Sequence, residues 1–204
     1  MQQDFPRGEM PHTARAEARR AQVLDAALAC FREHGFHGAS IARICKASGM
    51  SPGHIYHYFR NKEEIIAAIV EQDVARILDF HDRMRSSDDL VATMRECVAE
   101  GVRDTLDADA AALKLEILAE AARNPRIAEL VQAADRRLRT SFIETLRAVG
   151  VVRGDDAQMN DCVDTLCAMF DGLMTRGVRN PDLDVAAVTR RYQERVLELL
   201  GITA

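Results

Sequence analysis

Between residues 54 and 58 the chain reads His-Ile-Tyr-His-Tyr, four polar rings within five positions. Imidazole and phenol can relay protons, ligate a metal or hydrogen-bond to an anionic oxygen. The surrounding stretch, GMSPGHIYHYF at 49–59, narrows the choice. A glycine turn precedes Ser51 as helix cap and Pro52 at the first helical position, where a missing N–H costs nothing. On a helix at roughly 100° per residue, Ile55 and Phe59 fall about 40° apart and form an inner face. Gly53 and His57 point the other way, with His54, Tyr56 and Tyr58 on the flanks. Such a short helix, anchored by two apolar side chains, suits the second element of a helix-turn-helix entering the major groove.

The elements that must hold this helix are legible around it. Apolar spacing of Val23, Leu24, Ala27, Leu28 and Phe31 predicts a first helix from about Ala14 to His34, with Gly35 as its stop and Phe36 folding back. Ser40 caps a second short helix with Ile41, Ile44 and Cys45 inward, and Ser48-Gly49-Met50 is the turn before the third. Asn61 opens a long fourth helix striped by Ile66, Ile69, Val70, Val74, Ile77, His81 and Met84. Further helices are expected over Ser87–Leu106, Asp107–Arg123, Asn124–Gly150, Asp155 or Asp156 to Arg179, and Asp184–Leu200. No segment reads as a strand, so the fold class is all-α, and an Ala-, Leu-, Arg- and Glu-rich composition agrees.

The 204-residue chain is 48% hydrophobic and 29% charged, with a net charge of −5. That charge is divided unevenly: +4 over residues 1–62 and −9 over the rest, and five of the six histidines lie in the first part. The asymmetry fits a polyanion-facing head on an acidic body. No apolar run reaches membrane-spanning length and the first residues lack a signal-peptide stretch, so no membrane partner and a cytoplasmic location are expected. Five cysteines (30, 45, 97, 162 and 167) show no C-x-x-C, which argues against a disulfide framework or structural zinc. No nucleophile elbow or phosphate-binding glycine loop occurs, so an enzyme is not expected.

Residues 20–66 resemble the DNA-binding head of the TetR family of transcriptional regulators. The resemblance rests on VLDAALACFREHGF followed by SIARICKASGMSPGHIYHYFRNKEEII, above all on G-x-S-x-G-x-I-Y-x-Y-F with N-K-E-E behind it. LEILAEAARNP in the body is a weaker match. The resemblance implies a three-helix helix-turn-helix head (14–60) after a disordered arm (1–13), then a ligand-binding and dimerisation body of about six helices (61–204). It implies a ligand-responsive repressor, homodimeric, on a palindromic double-stranded operator, released by a small-molecule effector and needing no cofactor. Ser40, Tyr56, Tyr58 and Lys62 match phosphate-contacting positions; Pro52, Gly53, His54 and His57 match positions near base edges; Ser51, and Arg43 and Lys46 on the preceding helix, complete the DNA-binding set. The head lacks the Arg or Asn of bidentate base readout. Arg15, Arg19 and Arg20 form either an arm on DNA or a solvated charge run.

In the body, candidate pocket walls are Met94, Cys97, Val98 and Gly101 on one helix and Leu113, Ile117, Leu138 and Phe142 on others, with plain core packing as the alternative. His81 is either a satisfied core histidine or a polar contact on the pocket floor. Glu116 and Glu120 are expected on the face of Leu113 and Ile117, neutralised by Arg103 or Arg139 or selecting a cationic ligand. Met159, Val163, Leu166, Phe170 and Leu173, with Val185, Val188, Tyr192, Val196 and Leu199, repeat at four-three spacing. They suggest the dimer seam, where Gly172 and Gly177 permit close approach. Two sensor alternatives remain: a metal at Cys30, His34 and His37 or at His54 and His57, and a redox thiol at Cys97, Cys162 or Cys167.

Overall fold

The computed structural model describes residues 12–151 and 154–202. Among them every regular element is an α-helix: α1 (His12–Gly38), α2 (Ile41–Ser48), α3 (Pro52–Tyr58), α4 (Lys62–Arg85), α5 (Leu90–Leu106), α6 (Ala108–Ala121), α7 (Pro125–Ala148), α8 (Asp156–Arg179) and α9 (Val185–Leu200). The expected arm falls mostly outside the described residues; His12 and Thr13 already belong to α1. The helix continues past Gly35 to Gly38, but Gly35 itself leaves helical geometry at φ 67°, ψ 172°. The expected stop is therefore a kink.

Helix starts follow capping chemistry closely. Asn61 Oδ1 accepts from the Glu64 N–H at 2.9 Å while Glu64 Oε2 accepts from the Arg60 N–H at 2.8 Å. Asp107, Asn124 and Asp184 cap α6, α7 and α9. At α8 a reciprocal capping box links Asp155 and Gln158. Each cap replaces water on an orphaned N–H and stabilises its helix by about 1 kcal/mol. α5 starts later than its Ser87-Asp88 signal: Asp89 caps it, and Ser87 Oγ accepts from the Asp89 N–H instead.

The chain divides into two compact units, Met1–Ala68 and Ile69–Ala204, with the division inside α4. In the first, Val23, Leu24, Ala27, Phe31, Phe36, Ile44, Met50, Ile55, Phe59, Ile65 and Ile66 are buried together along α1 to the start of α4. In the second, α5 is the hub, packing on α6, α8 and α9. Met94, Cys97, Val98 and Val102 of α5 share a core with Met84, Leu146, Val151, Met159, Val163, Leu166, Leu173, Val188, Val196, Leu197 and Leu200.

Much of the expected seam is already covered within the subunit. Met159, Val163, Leu166, Leu173, Val188 and Val196 are each no more than 5% exposed within one subunit. Phe170, Tyr192 and Leu199 pack half-buried against the same core, and only Val185 is exposed. A four-three repeat marks an apolar face without saying which helix will cover it, and here α5 does. The two glycines differ. A Cβ on Gly177 would meet Leu106 Cδ2 at 2.7 Å, so its close approach is internal, and Gly172 faces open space. The Tyr192 hydroxyl donates to the Met169 carbonyl at 2.8 Å, closing α9 on α8.

The turn between α2 and α3 depends on Gly49, which holds φ 68°, ψ 19° and returns its N–H to α2. No atom would obstruct a Cβ there, so the constraint is purely conformational. Gly49→Ala should lower head stability by about 1–2 kcal/mol, and Gly49→Asn by less, because asparagine tolerates the left-handed region. Thermal melting followed by circular dichroism measures both.

Candidate nucleic-acid interface

The outer side of α3 is assembled by its inner side. Ile55 is fully buried and Phe59 nearly so, each contributing roughly 1.5–3 kcal/mol of hydrophobic stabilisation. With those two positions sunk, Pro52, Gly53, His54, Tyr56 and His57 are exposed and Tyr58 half-buried. Tyr56 is 52% exposed, unusual for an aromatic ring. His57 and Tyr58 meet edge to face at 5.1 Å. The cap of α3 is Ser51, whose Oγ accepts from the His54 N–H at 3.4 Å. Ser40 does the same for α2, accepting from the Arg43 N–H at 3.2 Å. Both hydroxyls keep their own proton for an outside acceptor.

Arg43 and Lys46 are exposed on α2, one turn apart. Lys62 stands apart from this set. Its ammonium donates to the Phe36 carbonyl at 2.8 Å and lies 4.3 Å from the centre of the Phe36 ring. It ties the start of α4 to the kinked end of α1, which makes it a structural cation with two donors left over.

The residues from Ser40 to Lys62 thus offer hydroxyls, phenols, imidazoles and cations to one class of ligand, a polyanion with spaced oxygens. The comparisons agree. The model described as bacterial regulatory proteins, tetR family, matches residues 23–69. That described as BetI-type transcriptional repressor, C-terminal, matches residues 107–201. The transcriptional repressor AcnR of Corynebacterium diphtheriae is 30% identical over 185 residues, 89% of each chain. The chain belongs to the TetR family. The regulator UidR of Escherichia coli K12 is 37% identical over 117 residues, which are 57% of this chain; the match spans 59% of UidR's own length. The solved structure of Salmonella enterica GusR superposes with a TM-score of 0.72 at 30% identity, covering 90% of this chain and 96% of that one.

In this TetR-family chain the body residues singled out in the sequence fall into distinct settings. Met94, Cys97 and Val98 are core, and Gly101 packs on Phe170, whose Cε1 would lie 3.3 Å from an added Cβ. Leu113 and Ile117 are buried on α6, and Leu138 and Phe142 half-buried on α7. The two glutamates separate. Glu120 is buried and its Oε1 accepts from Asn124 Nδ2 at 3.1 Å, whereas Glu116 is exposed. Glu116 lies one turn from Glu120 but a few tens of degrees off the inner line of Leu113, Ile117 and Glu120, enough to leave the buried face. Arg139, proposed as their neutraliser, pairs with Asp164 at 2.5 Å, and Arg103 is exposed.

His81 is 5% exposed and its ring stacks on Phe142 at 5.2 Å. Its Nδ1 lies 2.9 Å from the Ser141 hydroxyl. Beside it Arg85 reaches Thr145, whose hydroxyl donates to the Ser141 carbonyl at 2.8 Å. Arg83 forks onto Glu100 at 2.7 and 3.0 Å. Burial first, then the Arg85 charge, push the His81 pKa down to about 4.

The sensor alternatives gain nothing from the geometry. Cys30 is buried, His34 sits 3.6 Å from Glu33 and His37 is exposed. Among the described residues no three His, Cys, Asp or Glu side chains are grouped to hold a metal ion. Burial pushes the Cys30 and Cys97 thiols up. Partial desolvation and the Asp135 and Asp171 carboxylates do the same to Cys167, although that residue as a whole is exposed. Cys162 donates weakly to the Leu199 carbonyl at 3.4 Å. A raised pKa keeps the thiol protonated and slow as a nucleophile.

Two outcomes follow from these settings. An unfolded histidine protonates near 6.5 and buried His81 only near 4, so the unfolded chain binds more protons between those values. The stability carried by neutral His81 is complete above about pH 6.5 and is lost as pH falls toward 4, on the order of 3 kcal/mol. His81→Gln should flatten the melting temperature against pH across that window. Gly53→Ala meets no atom and should hold or slightly raise the melting temperature, while costing affinity for duplex DNA several-fold where the backbone approaches the groove. Unchanged DNA affinity in that variant would remove the helix start from the interface.

Proposed function

We propose that the chain is a DNA-binding transcriptional regulator of the repressor kind. It binds its operator as a homodimer and leaves when a small molecule occupies the body. The observation that carries the reading is the outer side of α3. An exposed Gly-His-x-Tyr-His surface, held by buried Ile55 and Phe59, stands beside capped serines and the exposed cations of α2. The net +4 of residues 1–62 against −9 beyond them directs that surface, and not the body, to a polyanion. Ser40, Ser51, Tyr56 and Tyr58 hydrogen-bond phosphate oxygens and set register. His54, His57 and the Pro52-Gly53 backbone approach base edges, and Arg43 and Lys46 supply charge.

A second copy of the chain gives the two-fold symmetry that a palindromic site requires, each head reading one half-site. Because much of the apolar face of α8 and α9 is used within the subunit, the partner meets exposed residues beside it, such as Asp161, Ala168 and Gly172 on α8 and Val185 on α9. The effector acts through differential affinity: it must bind the released conformation more tightly, since equal affinity shifts nothing. Helix α4, whose residues are shared by both units, is the natural carrier of that bias. Its body half is held by Arg83 to Glu100, Arg85 to Thr145 and His81 to Ser141, and pocket ligands that disturb His81 or Phe142 act on those ties.

A titration of duplex DNA at increasing salt tests the reading. Each phosphate neutralised steepens the fall of log affinity with log salt by about 0.9, so a head making several contacts loses orders of magnitude between roughly 50 and 200 mM. A flat salt response would reject the regulator and favour a protein-interaction module.

A further inference from the structure

We infer that Arg19 and Arg20 of α1 form a phosphate clamp beside α3, gripping the DNA backbone at the surface described above. The inference rests on that reading and extends it to residues outside the helix-turn-helix.

Both side chains are exposed, and each is held by a neutral partner. The Arg20 guanidinium lies over the Phe59 ring, 5.0 Å from its centre. Phe59 caps the C-terminus of α3, so Arg20 stands at that end of the helix. Arg19 Nη1 donates to Gln22 Oε1 at 3.0 Å, and Gln22 Nε2 in turn donates to the Ser48 carbonyl at 2.8 Å. Ser48 is the last residue of α2. One arginine is thus referenced to the end of α3 and the other to the turn that precedes it.

The partners matter as much as the positions. Several body arginines, among them Arg76, Arg83, Arg85, Arg137, Arg139 and Arg147, are each paired with a carboxylate, and others such as Arg103 are exposed without the ring or amide support seen at Arg19 and Arg20. Among the described residues neither Arg19 nor Arg20 has a carboxylate partner. An aromatic face fixes the plane of a guanidinium and leaves its edge donors free, and an amide fixes its reach without cancelling its charge. A guanidinium held by a neutral partner matches the paired oxygens of a phosphodiester, which it binds through parallel N–H bonds. Holding it in place before the ligand arrives lowers the ordering cost of binding.

Anisotropy titrations of the full chain with a duplex of arbitrary sequence, at several potassium chloride concentrations, test the clamp. Arg20→Gln and Arg19→Gln should each reduce the salt slope by about 0.9 per bound head, equally for different sequences, while Arg20→Lys keeps the slope and binds more weakly. An unchanged slope in folded Arg20→Gln and Arg19→Gln chains overturns the clamp and leaves the regulator reading standing. A wild-type chain without salt-dependent binding overturns both. Should a variant melt early, phenylglyoxal labelling of the wild type decides. Protection of Arg19 and Arg20 by DNA, with Arg103 unprotected, supports the clamp; equal labelling of all three with and without DNA overturns it.

Discussion

Burial of Ile55 and Phe59 is the constraint on which the head turns. A helix of seven residues has too few internal hydrogen bonds to persist in water, so α3 exists because two side chains on one edge are drawn into the core. Once they are, the remaining positions have no freedom over which way to face. The exposed imidazoles and phenols are a by-product of packing, and the function read from them is inherited from it. Gly49 and Ser51 make the arrangement abrupt by ending one helix and starting the next within two residues.

The body applies the same physics to a different end. Its apolar stripes on α8 and α9 look alike in spacing to those of a helix that associates with a partner. They are consumed by α5, which is itself apolar at Met94, Cys97, Val98 and Val102. Small residues serve that packing: Gly101 admits Phe170, and Gly177 admits Leu106. What α8 leaves outside is acidic and small, including Asp161, Asp164, Ala168 and Asp171.

Polar side chains at the body end of α4 form the third layer. His81, Arg83 and Arg85 reach α5 and α7 through hydrogen bonds whose partners are buried or half-buried. Such contacts are exchangeable in a way that methyl packing is not, because each has an alternative partner in water. A neutral imidazole stacked on Phe142 suits that role, since its protonation is resisted by burial and by Arg85.

Local chemistry was legible in the sequence; neighbours were not. Caps at Ser40, Ser51, Asn61, Asp107, Asn124, Asp155 and Asp184 were readable because a side chain bonds an amide two or three residues away. The inner face of α3 was readable because a helix period and two apolar residues suffice. The tie from Lys62 to the Phe36 carbonyl was not legible, because that acceptor lies 26 positions back. Periodicity on α8 and α9 could not say that α5 covers much of those faces within the subunit. Glu116 and Glu120, one turn apart, parted only when α6 packed. Arg20 is the sharpest case: ahead of the first motif it is one charge in a run, and only folding sets Phe59 beneath it. Sequence alone determined what repeats along a helix, and tertiary structure decided what each helix meets, because packing joins residues whose separation carries no periodic signal.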